Sequence, residues 1–279
     1  MKERVVLLDN GSLKPEAVFS LRRIAAELSK RLDRSITPVS LLHSGKIDPV
    51  ELDGERAWTW KRFLKSIQDQ SVERVFVLPL FFGPSSAIVD YLPKVWRETM
   101  SAEQRCRLIV GRPLVNRDDP SDDEVARILE RATRARLADM EASPTVIVVD
   151  HGSPIPQVAE CRNMVAKQLG ARLGDSVSRV VAASMERREG EQYAFNEPLL
   201  EGALQGLRPG ETELVIALMF FSPGRHAGPG GDIAQIVSES EWGRRGGQVR
   251  FTELVGQLPD LIDLLERRYR EMRSRARVR

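Results

Sequence analysis

Val5-Val6-Leu7-Leu8-Asp9-Asn10-Gly11-Ser12 stands near the start of the chain, and Val146-Ile147-Val148-Val149-Asp150-His151-Gly152-Ser153 repeats it 141 residues on (150 − 9). A second pair keeps almost the same spacing. Leu80-Phe81-Phe82-Gly83-Pro84 matches Met219-Phe220-Phe221-Ser222-Pro223, 139 residues apart (220 − 81). Two separated matches at one spacing indicate two copies of one unit. The expected division is residues 1–142 and 143–279, and a chain of 279 residues is about twice the commonest domain size.

Each copy reads as strands alternating with helices. In the first, short β-branched or apolar runs at residues 4–8, 36–42, 74–82 and 107–110 predict strands. Residues 15–32 space Val18, Leu21, Ile24, Ala25 and Leu28 at helical period, and residues 58–67, 88–96 and 122–140 fit further helices. Ser121 ahead of two aspartates suits the positive N-terminal dipole of the last of these. In the second copy the predicted strands are 145–149, 177–183, 213–221 and 248–252, with helices at 157–173, 197–207, 232–239 and 259–273. Strands without period-2 polarity, separated by helices, imply parallel sheets covered on both faces. The fold class is therefore α/β: two tandem, flavodoxin-like parallel-sheet domains facing across a cleft. Ligands of such sheets bind outside the carboxyl ends of the strands. Both the Asp-X-Gly-Ser turns and the Phe-Phe-X-Pro segments follow strands, so both belong at that edge.

Composition narrows the function classes. The 42% hydrophobic and 29% charged content is that of a folded chain. No apolar run approaches the ~20 residues of a membrane span, and the N-terminus lacks a signal-peptide core, so the expected compartment is the cytoplasm. Lys and Arg number 42 against 40 Asp and Glu, without the basic excess of a nucleic-acid binder. Seven arginines fall between Arg267 and Arg279, a pattern read as a solvated, fraying helix face. Two cysteines, Cys106 and Cys161, build neither a disulfide framework nor a zinc knuckle. Cys161 is expected as a small buried apolar residue.

Only three histidines occur: His43, His151 and His226. His151 follows the first strand of copy two and His226 follows its third, so both belong to loops at one sheet edge. Copy one has Asn10 at the first position and Gly83-Pro84-Ser85-Ser86-Ala87 in place of the second. A requirement of the fold would appear in both copies; these imidazoles appear in one. Neutral imidazole is the commonest side-chain ligand for divalent transition metals and a base active near neutral pH. The loop after the second strand of copy two adds Glu186. His43 follows the corresponding strand of copy one, with no assigned role. Ser12 and Ser153 lack a Gly-X-Ser-X-Gly nucleophile elbow. Gly228-Pro229-Gly230-Gly231 lacks the Lys-Ser/Thr of a phosphate loop.

A strand ending in Asp150-His151-Gly152-Ser153, then a second ending near Arg225-His226 with Asp232-Ile233 opening the next helix, resembles the class II tetrapyrrole chelatases. More closely it is similar to the sirohydrochlorin cobalto- and ferrochelatases of the CbiX/SirB type in their long, tandem form. The resemblance covers nearly the whole chain. It implies insertion of a divalent metal into sirohydrochlorin, feeding siroheme or cobalamin synthesis, with Co²⁺ or Fe²⁺ as substrate (Ni²⁺ also suits the donors) and no organic cofactor. It carries the family's active-site histidines onto His151 and His226 and its glutamate onto Glu186. It implies one active centre, in the C-terminal copy.

Two pyrrole N–H protons leave as the ion enters, so His151 and His226 would hold or hand over the metal while one of them, with Glu186, takes protons. A carboxylate-edged macrocycle calls for cations, and Arg225, Arg187 and Arg188 lie in the same loops. No nucleic-acid or membrane partner is expected, and the sequence leaves the oligomeric state open. Two other readings compete: a non-catalytic metal or tetrapyrrole carrier on the same fold, and a phosphate or nucleotide binder using the loop at 228–231.

Overall fold

The structure, a computed structural model, describes residues 2–100, 105–138, 140 and 143–278. In chain order its main elements are β1 (Glu3–Asp9), α1 (Pro15–Leu32), β2 (Thr37–Ser40), α2 (Trp60–Ile67), β3 (Arg74–Pro79), α3 (Leu92–Thr99), β4 (Arg107–Val110) and α4 (Glu124–Leu137). They continue with β5 (Thr145–Asp150), α5 (Pro156–Leu173), β6 (Arg179–Ser184), α6 (Leu200–Gln205), β7 (Glu213–Leu218), α7 (Asp232–Glu239), α8 (Glu241–Arg244), β8 (Gln248–Phe251) and α9 (Asp260–Val278). The expected alternation is present, with shorter strands and helices at several positions. Residues 139, 141 and 142, at the expected end of the fourth helix and the repeat boundary, lie outside the described residues.

The strands form two four-stranded parallel sheets, ordered β2-β1-β3-β4 and β6-β5-β7-β8. The central strands are buried on both faces: Val146, Ile147, Val148 and Val149 of β5 are each 0% exposed, the pattern of a sheet covered by helices on each side. In each sheet the strand order reverses beside the first strand of the repeat, between β1 and β3 and between β5 and β7. Such a reversal splays the following loops apart and opens a crevice at the carboxyl edge.

The compact units do not follow the expected 142/143 division. One comprises Met1–Leu114 and Pro259–Arg279, the other Val115–Leu258. The fourth helix of each repeat has been exchanged: α4 packs on α5 and β7, and α9 packs on α1, β3 and β4. The side chains show why. The apolar face of α4 (Val125, Ile128, Leu129, Ala132) is buried, and Arg172 of α5 pairs with Asp123 at 2.7 Å and with Glu130 at 2.5 Å. In the other unit, Arg31 of α1 pairs with Glu266 at 2.8 Å, and the Arg268 guanidinium donates to the Leu114 carbonyl at 2.7 Å. Ser121 does not cap α4; its hydroxyl donates to Asp119 and the N-cap position falls on Asp123.

The arginine run on α9 is likewise only partly a solvated face. Arg268 is buried, and Arg273 pairs with Glu3 and lies 4.6 Å over the Phe76 ring. Cys161 is buried as expected, and burial pushes its thiol up to about 11. Among the described residues no helix is long and apolar enough to cross a membrane.

Candidate active site

The site begins with a turn that both repeats share. After β5 the chain must reverse against the end of β6, and Gly152 makes this turn at φ +93°. A Cβ there would collide with the Glu186 carbonyl oxygen, so glycine is required by space as well as by φ. The Glu186 N–H donates to the His151 carbonyl at 3.2 Å. Asp150 accepts the Gly152 N–H at 3.1 Å and the Ser184 hydroxyl at 2.7 Å. These bonds fix where His151 and Glu186 leave the backbone.

His226 arrives from the neighbouring strand β7. The segment between β7 and α7 folds back so that Asp232 N–H donates to the Arg225 carbonyl at 3.0 Å and Ile233 N–H to the His226 carbonyl at 3.1 Å. This tight return brings Asp232 Oδ2 to 2.8 Å from His226 Nδ1. It also occupies the first backbone N–H groups of α7, leaving them unavailable as a phosphate cradle. The glycine-rich stretch 228–231 lies in the loop that makes this return.

The two imidazoles meet. Their ring centroids are 4.8 Å apart with planes at 75°. His151 Nε2 lies 3.5 Å from Glu186 Oε1, so each ring has its own carboxylate. An Asp232 carboxylate on Nδ1 favours the tautomer carrying its proton there, which leaves the Nε2 lone pair of His226 for a metal. The His151 side chain is 49% exposed and that of His226 28%, so solvent and solutes reach both. Among the described residues no group of three or more His, Cys, Asp or Glu side chains is arranged to hold a metal ion. The site offers two facing imidazoles, not a closed cage.

The arginines differ in availability. Arg225 is 77% exposed and touches Asp232 at 3.3 Å. Arg187 is tied down by Glu197 at 2.7 Å and by the Gly190 carbonyl at 2.9 Å. Arg188 lies 5.9 Å over the Tyr193 ring. His43 is exposed and belongs to the other unit, which holds no matching pair. There the residue bonded as Glu186 is bonded proves to be Leu42, whose N–H donates to the Asn10 carbonyl at 3.1 Å.

In the sequence Asp232 stands only as a helix opening, six residues after His226 (232 − 226); their contact comes from the fold. Nor does the sequence mark Arg162, Ser184 and Asn196, which support the His151 turn from below. A mid-helix arginine carries no mark that separates it from a surface residue until the tertiary fold buries it.

Comparison with known proteins bears on the fold. Residues 145–272 match the CbiX family model. SirB from Bacillus subtilis with Fe³⁺ superimposes at a TM-score of 0.69 with 13% identity, covering 98% of this chain and 96% of that one. The sirohydrochlorin chelatase SirB from Bacillus subtilis subspecies spizizenii in complex with cobalt gives 0.68 with 15% identity, covering 98% and 95%. CbiX, described as the terminal enzyme for siroheme biosynthesis in denitrifying bacteria, gives 0.55 with 12% identity, covering 96% and 98%. No curated protein matches the sequence itself. The family-model match thus lies in the C-terminal half of the chain, and the chain as a whole has the two-sheet fold of the SirB and CbiX structures.

Proposed function

We propose that the protein is a chelatase that inserts Co²⁺ or Fe²⁺ into sirohydrochlorin, with His151 and His226 as the groups that handle the ion. The observation that carries this reading is the pair of imidazoles 4.8 Å apart at the carboxyl edge of one sheet, each beside a carboxylate. The likeness to the SirB and CbiX structures supports it.

The chemistry divides among these groups. A divalent ion enters the macrocycle as two N–H protons leave, so the net reaction releases two protons and consumes no electrons. His226, with Asp232 on Nδ1, presents Nε2 to the ion. His151, 3.5 Å from Glu186, takes a pyrrole proton and relays it to that exposed carboxylate and water. Two neutral imidazoles bind cobalt, nickel and iron(II) without adding charge, and their affinity order does not favour cobalt or iron. Metal supply therefore decides whether the product leads toward cobalamin or siroheme. An open pair of ligands releases its ion to a tetradentate ring, whereas a closed cage would retain it; this favours a catalyst over a carrier. Arg225, with its side chain 77% exposed, is the first partner for a substrate carboxylate. Arg187 and Arg188, already engaged with Glu197 and Tyr193, shape the loop around it.

The test follows the absorbance change of sirohydrochlorin on metallation with Co²⁺ or Fe²⁺. Wild-type protein should exceed the uncatalysed rate, and His151→Ala and His226→Ala should each fall to it while keeping the wild-type unfolding midpoint. Saturable binding of metal or tetrapyrrole with no rate above the control would replace the chelatase by a carrier. Equal loss from Asn10→Ala would move the centre to the other repeat.

A further inference from the structure

We infer that Arg162 is a positioning residue for His151: its guanidinium fastens Asp150, Ser184 and Asn196 into one buried bracket that fixes the turn carrying the imidazole. Arg162 is 0% exposed in the interior of α5, a place where arginine occurs only with partners. Nη1 donates to the Ser184 hydroxyl and, at 3.1 Å, to the Asn196 carbonyl, and lies 3.5 Å from Asp150 Oδ1. Nε and Nη2 donate to Asn163 Oδ1 at 3.1 and 2.8 Å. The partners reach outward to the site. Asp150 holds the Gly152 N–H. Asn196 grips Ser153 on both sides, accepting its N–H at 3.0 Å and donating to its carbonyl at 2.9 Å. His151 sits between the first of these anchors and the preceding strand.

The other repeat is a built-in control. Pro15 and Pro156 open α1 and α5, and at the same 141-residue offset Arg162 corresponds to Leu21 (162 − 141), a buried core residue. Asn10-Gly11-Ser12 nevertheless makes the same positive-φ turn, with Ser44 in the part of Asn196: its hydroxyl accepts the Ser12 N–H and donates to the Ser12 carbonyl, both at 3.1 Å. The turn therefore forms without a buried arginine. A buried ion pair is also weak as a source of stability, since well-packed apolar residues commonly do as well. What distinguishes the repeat that contains Arg162 is the pair of histidines. Imidazoles that must face one ion tolerate little displacement, and loosening the groups behind a metal ligand typically costs ~10–100-fold in affinity or rate.

The test compares Arg162→Leu with Val165→Ala, a buried substitution on the same helix whose apolar side chain makes none of the bracket's hydrogen bonds. With three histidines in the chain, ring-labelled protein gives an NMR spectrum in which the His151–His226 ring-to-ring signal is directly readable. Arg162→Leu should lose that signal and leave His43 unmoved; Val165→Ala should keep it. The rate arm rests on the chelatase reading: kcat for insertion should fall about tenfold or more with KM changed less than about threefold. The double variant R162L/D150N, free of a lone buried charge, serves the same comparison if R162L does not fold. A folded variant with the signal intact and kcat within about twofold of wild type overturns the proposal. So does loss of the signal in Val165→Ala, or failure of both Arg162 variants to fold, which would make Arg162 a structural residue. If wild type inserts no metal, the chelatase reading fails and the ring signal alone decides the role of Arg162.

Discussion

Asp9 and Asp150 end the first strands of their repeats and each accepts the backbone N–H of a turn glycine, yet only Asp150 has a buried guanidinium beside it. Burial raises both carboxyl groups. For Asp150 the charge of Arg162 and the Ser184 hydroxyl oppose that rise. For Asp9, whose Oδ1 is buried without a hydrogen-bond partner among the described residues, desolvation wins over the Ser40 hydroxyl and Gly11 N–H and carries the group to about 6. Between about pH 4, where an unfolded aspartate ionises, and about pH 6, the unfolded chain has released a proton that the folded chain keeps. Stability therefore falls as pH rises through that window and stays lower above it, by ~2–3 kcal/mol. Asp9→Asn should be more stable than wild type at pH 7.5 by that order, with the difference vanishing near pH 4, as read from denaturant midpoints. A wild type at least as stable as the variant at pH 7.5 refutes it. At the candidate site, Asp232→Asn replaces the carboxylate on His226 Nδ1 by a neutral amide that can accept or donate and so no longer holds one tautomer by charge; it should lower kcat for metal insertion ~10–100-fold with the fold intact, and an unchanged kcat would leave Asp232 a mere helix opener. The residues legible in the sequence were those scarce enough to stand out, two histidines of three. Asp232 and Arg162 belong to abundant types, and only the fold, by burying one and turning the other toward a ring, gives them meaning.

The strands were legible because a doubly covered parallel sheet needs continuous apolar runs, and Val5–Leu8 and Val146–Val149 contain nothing else. Element ends were less so. The expected helix at 88–96 is present, but its first half is a π-helix over Ala87–Tyr91 that runs into α3, with Pro93 in the first turn of α3, where its missing N–H is best tolerated. The expected helix at 197–207 contracts to α6, since Pro198 keeps the preceding Glu197 extended and Leu199 is extended as well. The shared turn gives a test at this scale. At Gly54, with φ +82° and open space around it, a methyl group meets strain alone, ~1–2 kcal/mol. At Gly152, φ +93° is joined by a collision with the Glu186 carbonyl, so the β6 loop must also shift. Gly152→Ala should thus cost at least ~2 kcal/mol more than the ~1–2 kcal/mol of Gly54→Ala and should depress insertion, because Glu186 moves with its carbonyl. Equal destabilisation of the two variants by urea unfolding would show that the turn accommodates a methyl group and that the close approach does not matter.

At the scale of the molecule, the repeat written in the sequence and the units of the fold diverge by one helix each. Sequence self-comparison cannot detect this. The fourth helix of either repeat carries the same kind of apolar stripe, and its place is visible only in contacts such as Arg172 with Asp123 and Glu130, or Arg31 with Glu266, which join segments far apart in the chain. The exchange has a measurable consequence. Leu129 of α4 and Leu264 of α9 are both 0% exposed, and truncation of a buried leucine to alanine costs ~2–5 kcal/mol wherever the cavity opens. Loss of packing is felt first in the unit that contains the helix, as faster amide exchange in the strands under it. Leu264→Ala should therefore speed exchange in β3 and β4 of the first sheet, although residue 264 lies in the second repeat. Leu129→Ala should speed exchange in β7, although residue 129 lies in the first. Peptide-resolved hydrogen exchange reads both at once. If each substitution instead loosens the sheet of its own repeat, the helices are not exchanged, the units return to the division at 142/143, and the packing of α9 on α1, β3 and β4 loses its support.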